Sequence, residues 1–218
     1  EVERLGADIE GLSGDLSEAQ CPAKLVDDAL KAFGGLDAVV SNAGITSPAP
    51  LIDLPVSKWD KLLNVNTRAT LLLAQAAHSA LKDSKGALVA VASMSGMGAH
   101  PGMGAYGPSK AALISLCQVL AQEWACDGIN VNTVSPGMIR TPLTQKVYEN
   151  NQIAKERAAL VPWGRVGNPE DISNTISFLL SPEASYITGQ NILVDGGFVD
   201  SLYRHIPGLP DSSKIDKN

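Results

Sequence analysis

The sequence predicts a single doubly wound α/β domain, a parallel sheet covered by helices on both faces. Three observations carry that expectation. Short apolar runs at 36–41, 87–92, 129–134 and 191–195 lack strict alternation, the pattern of strands buried on both sides. Helical patterns separate successive runs, as parallel strands require for their crossovers. The chain's 218 residues, 44% hydrophobic and 18% charged, suffice for one core without disulfides or metal.

In chain order, residues 1–6 read as the last turn of a helix stopped by Gly6, and 8–12 as a short strand. Gly14-Asp15-Leu16-Ser17 supplies a turn and an N-cap. A helix follows over 18–33, because Leu25, Val26, Ala29, Leu30 and Phe33 recur at helical spacing and Gly34-Gly35 stops them. The strand 36–41 runs into a turn at Asn42-Ala43-Gly44. Residues 45–54 hold Pro48 and Pro50 and read as loop, and 56–81 carries a long helical pattern. A strand over 87–92, a Gly/Met loop, a helix over 105–126 and a strand over 129–134 come next. From 135 to 170 the chain carries Pro136, Pro142, Pro162 and Pro169 with weak periodicity. A long insertion at the carboxyl end of a parallel strand serves function in such folds, so 138–168 is expected to be a substrate lid. A helix over 171–180 and a strand over 191–195 close the domain, which spans 1–197. The tail 198–218 is expected to pack on a neighbouring copy or to be loose.

Charge and composition exclude some partners. With 17 basic and 23 acidic residues the net charge is −6, which leaves no basic stripe for nucleic acid. No apolar run approaches the roughly 18 residues that cross a bilayer, and no charged segment leads a short apolar one. Neither nucleic acid nor membrane is an expected partner, and the expected location is cytoplasmic. Cys21, Cys117 and Cys126 form no CxxC pair, and His78, His100 and His205 lie far apart. They read as buried reduced thiols and isolated imidazoles, so no metal site is expected.

The strongest chemical signal is Tyr106-Gly107-Pro108-Ser109-Lys110, with Tyr and Lys at i and i+4 where a helix begins. That spacing stacks both side chains on one face. A tyrosine ionising at about 10 is a poor catalyst at neutral pH, but a neighbouring ammonium favours the phenolate. Taken alone, the pair also describes an ordinary helix surface. It gains meaning from Ser93, which lies at the carboxyl end of an apolar strand, the edge where ligands bind in open α/β sheets. A hydroxyl there can hold a carbonyl oxygen while the tyrosine protonates it. Ser95 is the competing choice, and a serine capping the strand end is the bland one. His100 and Met103 could face substrate from the loop before Tyr106. Met138 and Trp163 could line its pocket, although Trp163 also suits plain packing. Cys117 and Cys126 read as core or helix-surface residues, and His78 and His205 have no evident partner.

With these residues in place the sequence resembles the short-chain dehydrogenase/reductase family over roughly 6–197. Asn42-Ala43-Gly44 is similar to that family's turn beside the adenine ribose. Asn66, in Asn64-Val65-Asn66-Thr67, falls where the family has a water-relaying asparagine, with Asn64 the less favoured choice. Ser93, Tyr106 and Lys110 fall on its other catalytic positions. Pro136-Gly137-Met138-Ile139-Arg140-Thr141 resembles the segment beside the nicotinamide, and Ile187-Thr188-Gly189-Gln190 through Val194-Asp195-Gly196-Gly197 the closing strand. The resemblance implies a Rossmann-like sheet and hydride transfer between NAD or NADP and a carbonyl or secondary alcohol. The catalytic set it implies is Asn66, Ser93, Tyr106 and Lys110. Cofactor contacts are implied for Asp15, Asn42, Ala43, Gly44, Tyr106, Lys110, Pro136, Gly137, Ile139 and Thr141. Asp15 reads equally as a turn residue capping the following helix, and helix capping is the less favoured reading of Thr141. NAD and NADP are not distinguished. By the same resemblance the helices 56–81 and 105–126 pair across a homodimer, and the closing strand with its tail completes a homotetramer.

The family's Gly-rich phosphate turn has no counterpart in the sequence. Gly102-Met103-Gly104-Ala105-Tyr106-Gly107 matches G-x-G-x-x-G literally, but it lies too far from the preceding strand and contains the catalytic tyrosine. A further strand-helix-strand unit of roughly 30 or more residues is therefore expected before the sequence given. Without such a unit the alternative is a non-catalytic cofactor-binding or structural protein. An epimerase or dehydratase fits the closing motif less well.

Overall fold

The computed structural model describes residue 6 and residues 8–208. Strands β1 (Ala38–Ser41), β2 (Ala87–Val91), β3 (Asn130–Pro136) and β4 (Asn191–Val194) pair in parallel in the order β1-β2-β3-β4. The helices are α1 (Cys21–Phe33), α2 (Val56–Leu63), α3 (Ala69–Ser84), α4 (Tyr106–Trp124), α5 (Gln145–Tyr148), α6 (Asn151–Leu160) and α7 (Pro169–Leu179).

Strand β2 explains why the sheet needs two helical layers. Its sequence, Ala-Leu-Val-Ala-Val, puts apolar groups on both faces. Leu88 and Ala90 join Val39, Val131, Leu81 and Leu113 in one core, beneath α3 and α4. Val89 turns the other way, into a second core with Val134, Ile172 and Leu179 beneath α7. Each fully buried Leu or Val contributes about 1.5–3 kcal/mol, so neither face of β2 can be left wet. The doubly wound arrangement follows, as the apolar runs predict.

Several elements differ from expectation. Residues 8–12 form no strand. Ile9 and Leu12 stand three apart rather than alternating, both are exposed, and no described strand pairs with them. Helix α1 starts at Cys21 rather than 18, because Ser17 N–H bonds to Asp15 Oδ1 in a tight turn and Pro22 sets the first helical turn. Its C-cap, Gly34, takes the left-handed conformation the stop signal implies. The long helix after Pro55 is interrupted by a π-helical turn, Asn64–Arg68, between α2 and α3. Residues 135–170 contain α5 and α6. No residue of α6 is buried, which is why no periodicity announces it.

Of the cysteines only Cys117 is buried; Cys21 is half-buried and Cys126 exposed. His78 does have partners. It bonds Asp127 at 3.0 Å and meets Trp124 edge-on, while Lys82 bonds the same Asp127 at 2.7 Å. This cluster ties the end of α3 to the turn after α4. The first residues of the tail pack on their own chain, Ser201 being buried and Leu202–His205 forming a 3₁₀ turn. The expected helix end at 1–6 lies mostly outside the described residues, as does the tail beyond 208.

Candidate active site

Strand register decides which segments meet. β1 pairs Ser41 with Ala90, and β2 pairs Val91 with Val134. One to three residues further on, the Asn42-Ala43-Gly44 turn, Ser93 and Pro136-Gly137 therefore leave the sheet side by side at its carboxyl edge, the ligand edge of an open α/β fold. Gly137 is held there by its N–H bond to Val194 O at 2.9 Å. A Cβ on it would lie 2.5 Å from Asp195 Cβ, so only glycine allows the two strand ends to close.

Helix α4 is brought to the same edge by backbone-on-backbone contact. A Cβ on Gly107 would lie 2.9 Å from Ser95 O, and one on Gly96 would lie 2.8 Å from the Lys110 carbonyl carbon. These two glycines let the 3₁₀ turn Met94–Gly96, which follows Ser93, rest directly on the first turn of α4. Sequence reading passes over them, although a glycine one residue into a helix costs about 1 kcal/mol and so signals a packing need.

Ser93 is buried, and its hydroxyl accepts the Ser95 N–H at 3.1 Å. Ser95 is turned elsewhere, its Oγ bonded to His100 Nδ1 at 2.7 Å. Burial pushes the Tyr106 hydroxyl above its ordinary value, and its hydrogen bond with Ser93 pulls weakly the other way. The expectation that Lys110 lowers this value is not met. Lys110 is only 3% exposed and donates through Nζ to Val91 O at 2.7 Å, so its charge turns toward the strand end. Burial also lowers its own pKa to about 8.

Asn66 sits within the π-helical turn and links three segments. Its Oδ1 accepts the Ile45 N–H at 2.9 Å, and its Nδ2 donates to Ile45 O at 3.0 Å and to Ser109 Oγ at 2.9 Å. Ser109 Oγ in turn donates to Tyr106 O at 2.7 Å. π-turns inside helices gather at functional sites because they redirect one side chain without breaking the helix. Ser109, which sequence reading does not single out, is thus the link between Asn66 and the tyrosine. Asn66→Ala is expected to lower unfolding stability by about 2–4 kcal/mol, since the Ile45 N–H and C=O and the buried Ser109 hydroxyl lose their bonds at once. The urea midpoint of purified protein checks this.

The remaining candidates divide. Asp15 is exposed and caps its own turn. The Ser17 backbone bond, then the Ser17 hydroxyl, holds its carboxyl below the usual range. Thr141 forms a reciprocal cap with Thr144. Asn42 and Ala43 line an open cleft of about 300 Å³ along β1. Ile139 is buried and pairs with Gly167, which anchors Pro136-Gly137-Met138 to the start of α7. Met138 and His100 share a cleft beside Ser93, whereas Met103 pairs with Ala49 and Trp163 faces a separate recess with Arg165. Gly102 and Gly104 take left-handed turns, and Gly104 packs on Ser47 O, which accounts for that glycine-rich run without a phosphate.

The residues at this edge suit a nicotinamide cofactor's ribose. Lys110 Nζ uses one of its three donors, and no side chain fills the space at Gly44, where a Cβ would lie 3.3 Å from Nζ and 3.4 Å from Asn66 Oδ1. A buried ammonium with donors to spare beside a bare backbone is a cradle for hydroxyl groups.

Among the described residues no helix is long and apolar enough to cross a membrane, and no group of His, Cys, Asp or Glu is placed to hold a metal. A family profile described as enoyl-(acyl carrier protein) reductase matches residues 1–199. The chain is 36% identical over 207 residues to 3-oxoacyl-[acyl-carrier-protein] reductase FabG of Thermotoga maritima, which covers 91% of this chain and 83% of that protein. A solved structure described as a short-chain alcohol dehydrogenase from Sinorhizobium meliloti superposes with a TM-score of 0.85 at 33% identity, covering 91% of this chain and 79% of the other. The Pseudomonas aeruginosa RhlG/NADP active-site complex superposes with a TM-score of 0.84 at 31% identity, covering 90% and 80%.

Proposed function

The chain belongs to the short-chain dehydrogenase/reductase family, an NAD(P)-dependent oxidoreductase, and from that premise we propose that it reduces a carbonyl compound with Tyr106 as the proton donor. The observation that carries the reading is the convergence of Ser93, Tyr106, Lys110 and Asn66 at the carboxyl edge of the sheet. The cofactor, NAD or NADP, supplies the hydride chemistry.

The chain's own residues do the rest. Ser93 orients the substrate oxygen, and Tyr106 gives it a proton as the alkoxide develops. Burial raises the Tyr106 pKa, so the hydroxyl is held in the protonated form that donation requires. Lys110 binds ribose hydroxyls. Asn66 is a positioning residue, holding the Gly44–Ile45 backbone and the first turn of α4 at fixed separation. Asn42, Ala43 and Gly44 would hold the adenosine side, with Asp15 at its rim. Pro136, Gly137, Ile139 and Thr141 would border the nicotinamide. Residues 138–168 would act as the lid within a domain ending at 197. Pairing of α2–α3 and α4 between copies would give a homodimer, and β4 a homotetramer.

Titration with NADH and NADPH, followed by nicotinamide fluorescence, should give saturable binding with one of the two preferred. Saturation by neither would overturn the reading.

A further inference from the structure

Beside Ser93 a cleft of about 630 Å³ is lined by His100, Arg157 and His205, with an apolar wall that includes Met138, Leu160 and Phe198. We propose that this cleft takes a carbonyl substrate whose far end is an anion, a carboxylate or phosphate on a short apolar body, and that Arg157 binds that anion. The assignment rests on the oxidoreductase reading of the same site.

The charges are the first argument. The chain as a whole is acidic, with 23 Asp and Glu against 17 Lys and Arg, yet among the described residues no carboxylate lines this cleft. Arg157 forms no ion pair among the described residues. Its contacts are with Tyr148, whose hydroxyl accepts from Nη1 at 3.5 Å and whose ring lies 5.6 Å from the guanidinium. A second guanidinium, Arg140, lies 5.3 Å from the same buried ring. The ring face steadies the Arg157 guanidinium without neutralising it, and a guanidinium fork is shaped for carboxylate or phosphate.

The imidazoles are the second argument. His100 is fixed by Ser95 Oγ at 2.7 Å, and His205 Nε2 lies 3.5 Å from Ser201 Oγ. The Ser201 hydroxyl donates to Phe198 O and so takes the Nε2–H of His205, whereas His100, with Nδ1 accepting from Ser95, keeps its Nε2–H as a donor. Continuity with the reacting centre is the third. Met94 and Ser95 follow Ser93 directly, and Met138 follows Pro136-Gly137, so the cleft runs from the turn next to Ser93 to the arginine.

The test compares 4-oxopentanoate and 5-oxohexanoate with their methyl esters, and dihydroxyacetone phosphate with dihydroxyacetone. For at least one pair, kcat/KM should favour the anion by about 10- to 100-fold, the range expected of a charge-assisted hydrogen bond. The pair that responds tells carboxylate from phosphate. Arg157→Met should abolish the preference by lowering kcat/KM for the anion far more than for its neutral partner, and Arg157→Lys should restore part of it. Equal treatment of anion and neutral partner, or a preference that survives Arg157→Met, overturns the proposal. Calorimetry with the same anions separates the two readings. Anion binding that is lost in Arg157→Met, without turnover of any compound, would sustain the cleft assignment and defeat the oxidoreductase mechanism. No binding of any anion would defeat the cleft assignment itself.

Discussion

Replacing Tyr106 by Phe is expected to lower kcat for carbonyl reduction by about 10²- to 10⁴-fold, the usual worth of a positioned general acid. Cofactor affinity should stay within about threefold, because the contacts assigned to the ribose come from Lys110 and the Gly44 backbone. The ring itself starts α4 beneath the Met94–Gly96 turn, and Phe keeps that packing. Only the hydroxyl and its bond with Ser93 disappear. The wild-type reduction rate should stay level through neutral pH and fall only in alkali, since the raised pKa keeps the donor protonated. Steady-state kinetics with a matched fluorescence titration checks both halves. Turnover within tenfold of wild type would move the proton donor elsewhere, and Ser93→Ala would be the next variant to measure.

What the sequence discloses of this site depends on how local each signal is. Apolar runs and glycine stops are local, and they locate the four strands and the ends of α1 within a few residues. The Tyr-x-x-x-Lys spacing is local too, but it places only the Cα–Cβ directions. It cannot say that Lys110 bends inward to Val91 O, which is why the expected lowering of the Tyr106 pKa fails. The π-helical turn at Asn66 leaves the apolar pattern of 56–81 unbroken, so nothing in that pattern reports it. The contact of Gly96 and Gly107, and the meeting of Arg157 with His205 from the far side of residue 197, exist only once the chain is folded. Residues 145–160 escape notice for a simpler reason. Apart from Tyr148 they bury almost nothing, and a helix without a buried face writes no periodicity.

The second large effect concerns Lys110, where stability and activity should move in opposite directions. Burial lowers its pKa to about 8, and no carboxylate compensates it. The one ionisable group that favours its charge is Cys117, itself pushed up to about 12 by burial and therefore a neutral thiol at pH 7. The folded protein thus binds this proton less tightly than the unfolded chain, whose lysine ionises near the ordinary value of 10.5. Between about 8 and 10.5 the unfolded state holds more protons, so stability rises with pH across that window. Below about 8 the penalty is constant and complete. Lys110→Met removes it at similar volume, at the cost of one bond to Val91 O. The cofactor-free variant is expected to be more stable at pH 7 by about 1–3 kcal/mol, a rise in Tm of roughly 2–4 °C per kcal/mol, with the difference gone in strong alkali. Its kcat/KM should fall by at least about 10²-fold and cofactor binding should weaken with it, because the donors that unsettle the empty protein are those that meet the ribose. Thermal denaturation of both proteins at several pH values, beside the nicotinamide titration, decides the matter. A variant less stable than wild type at pH 7 would mean the ammonium is satisfied in the free protein, and its place in the cradle would have to be given up.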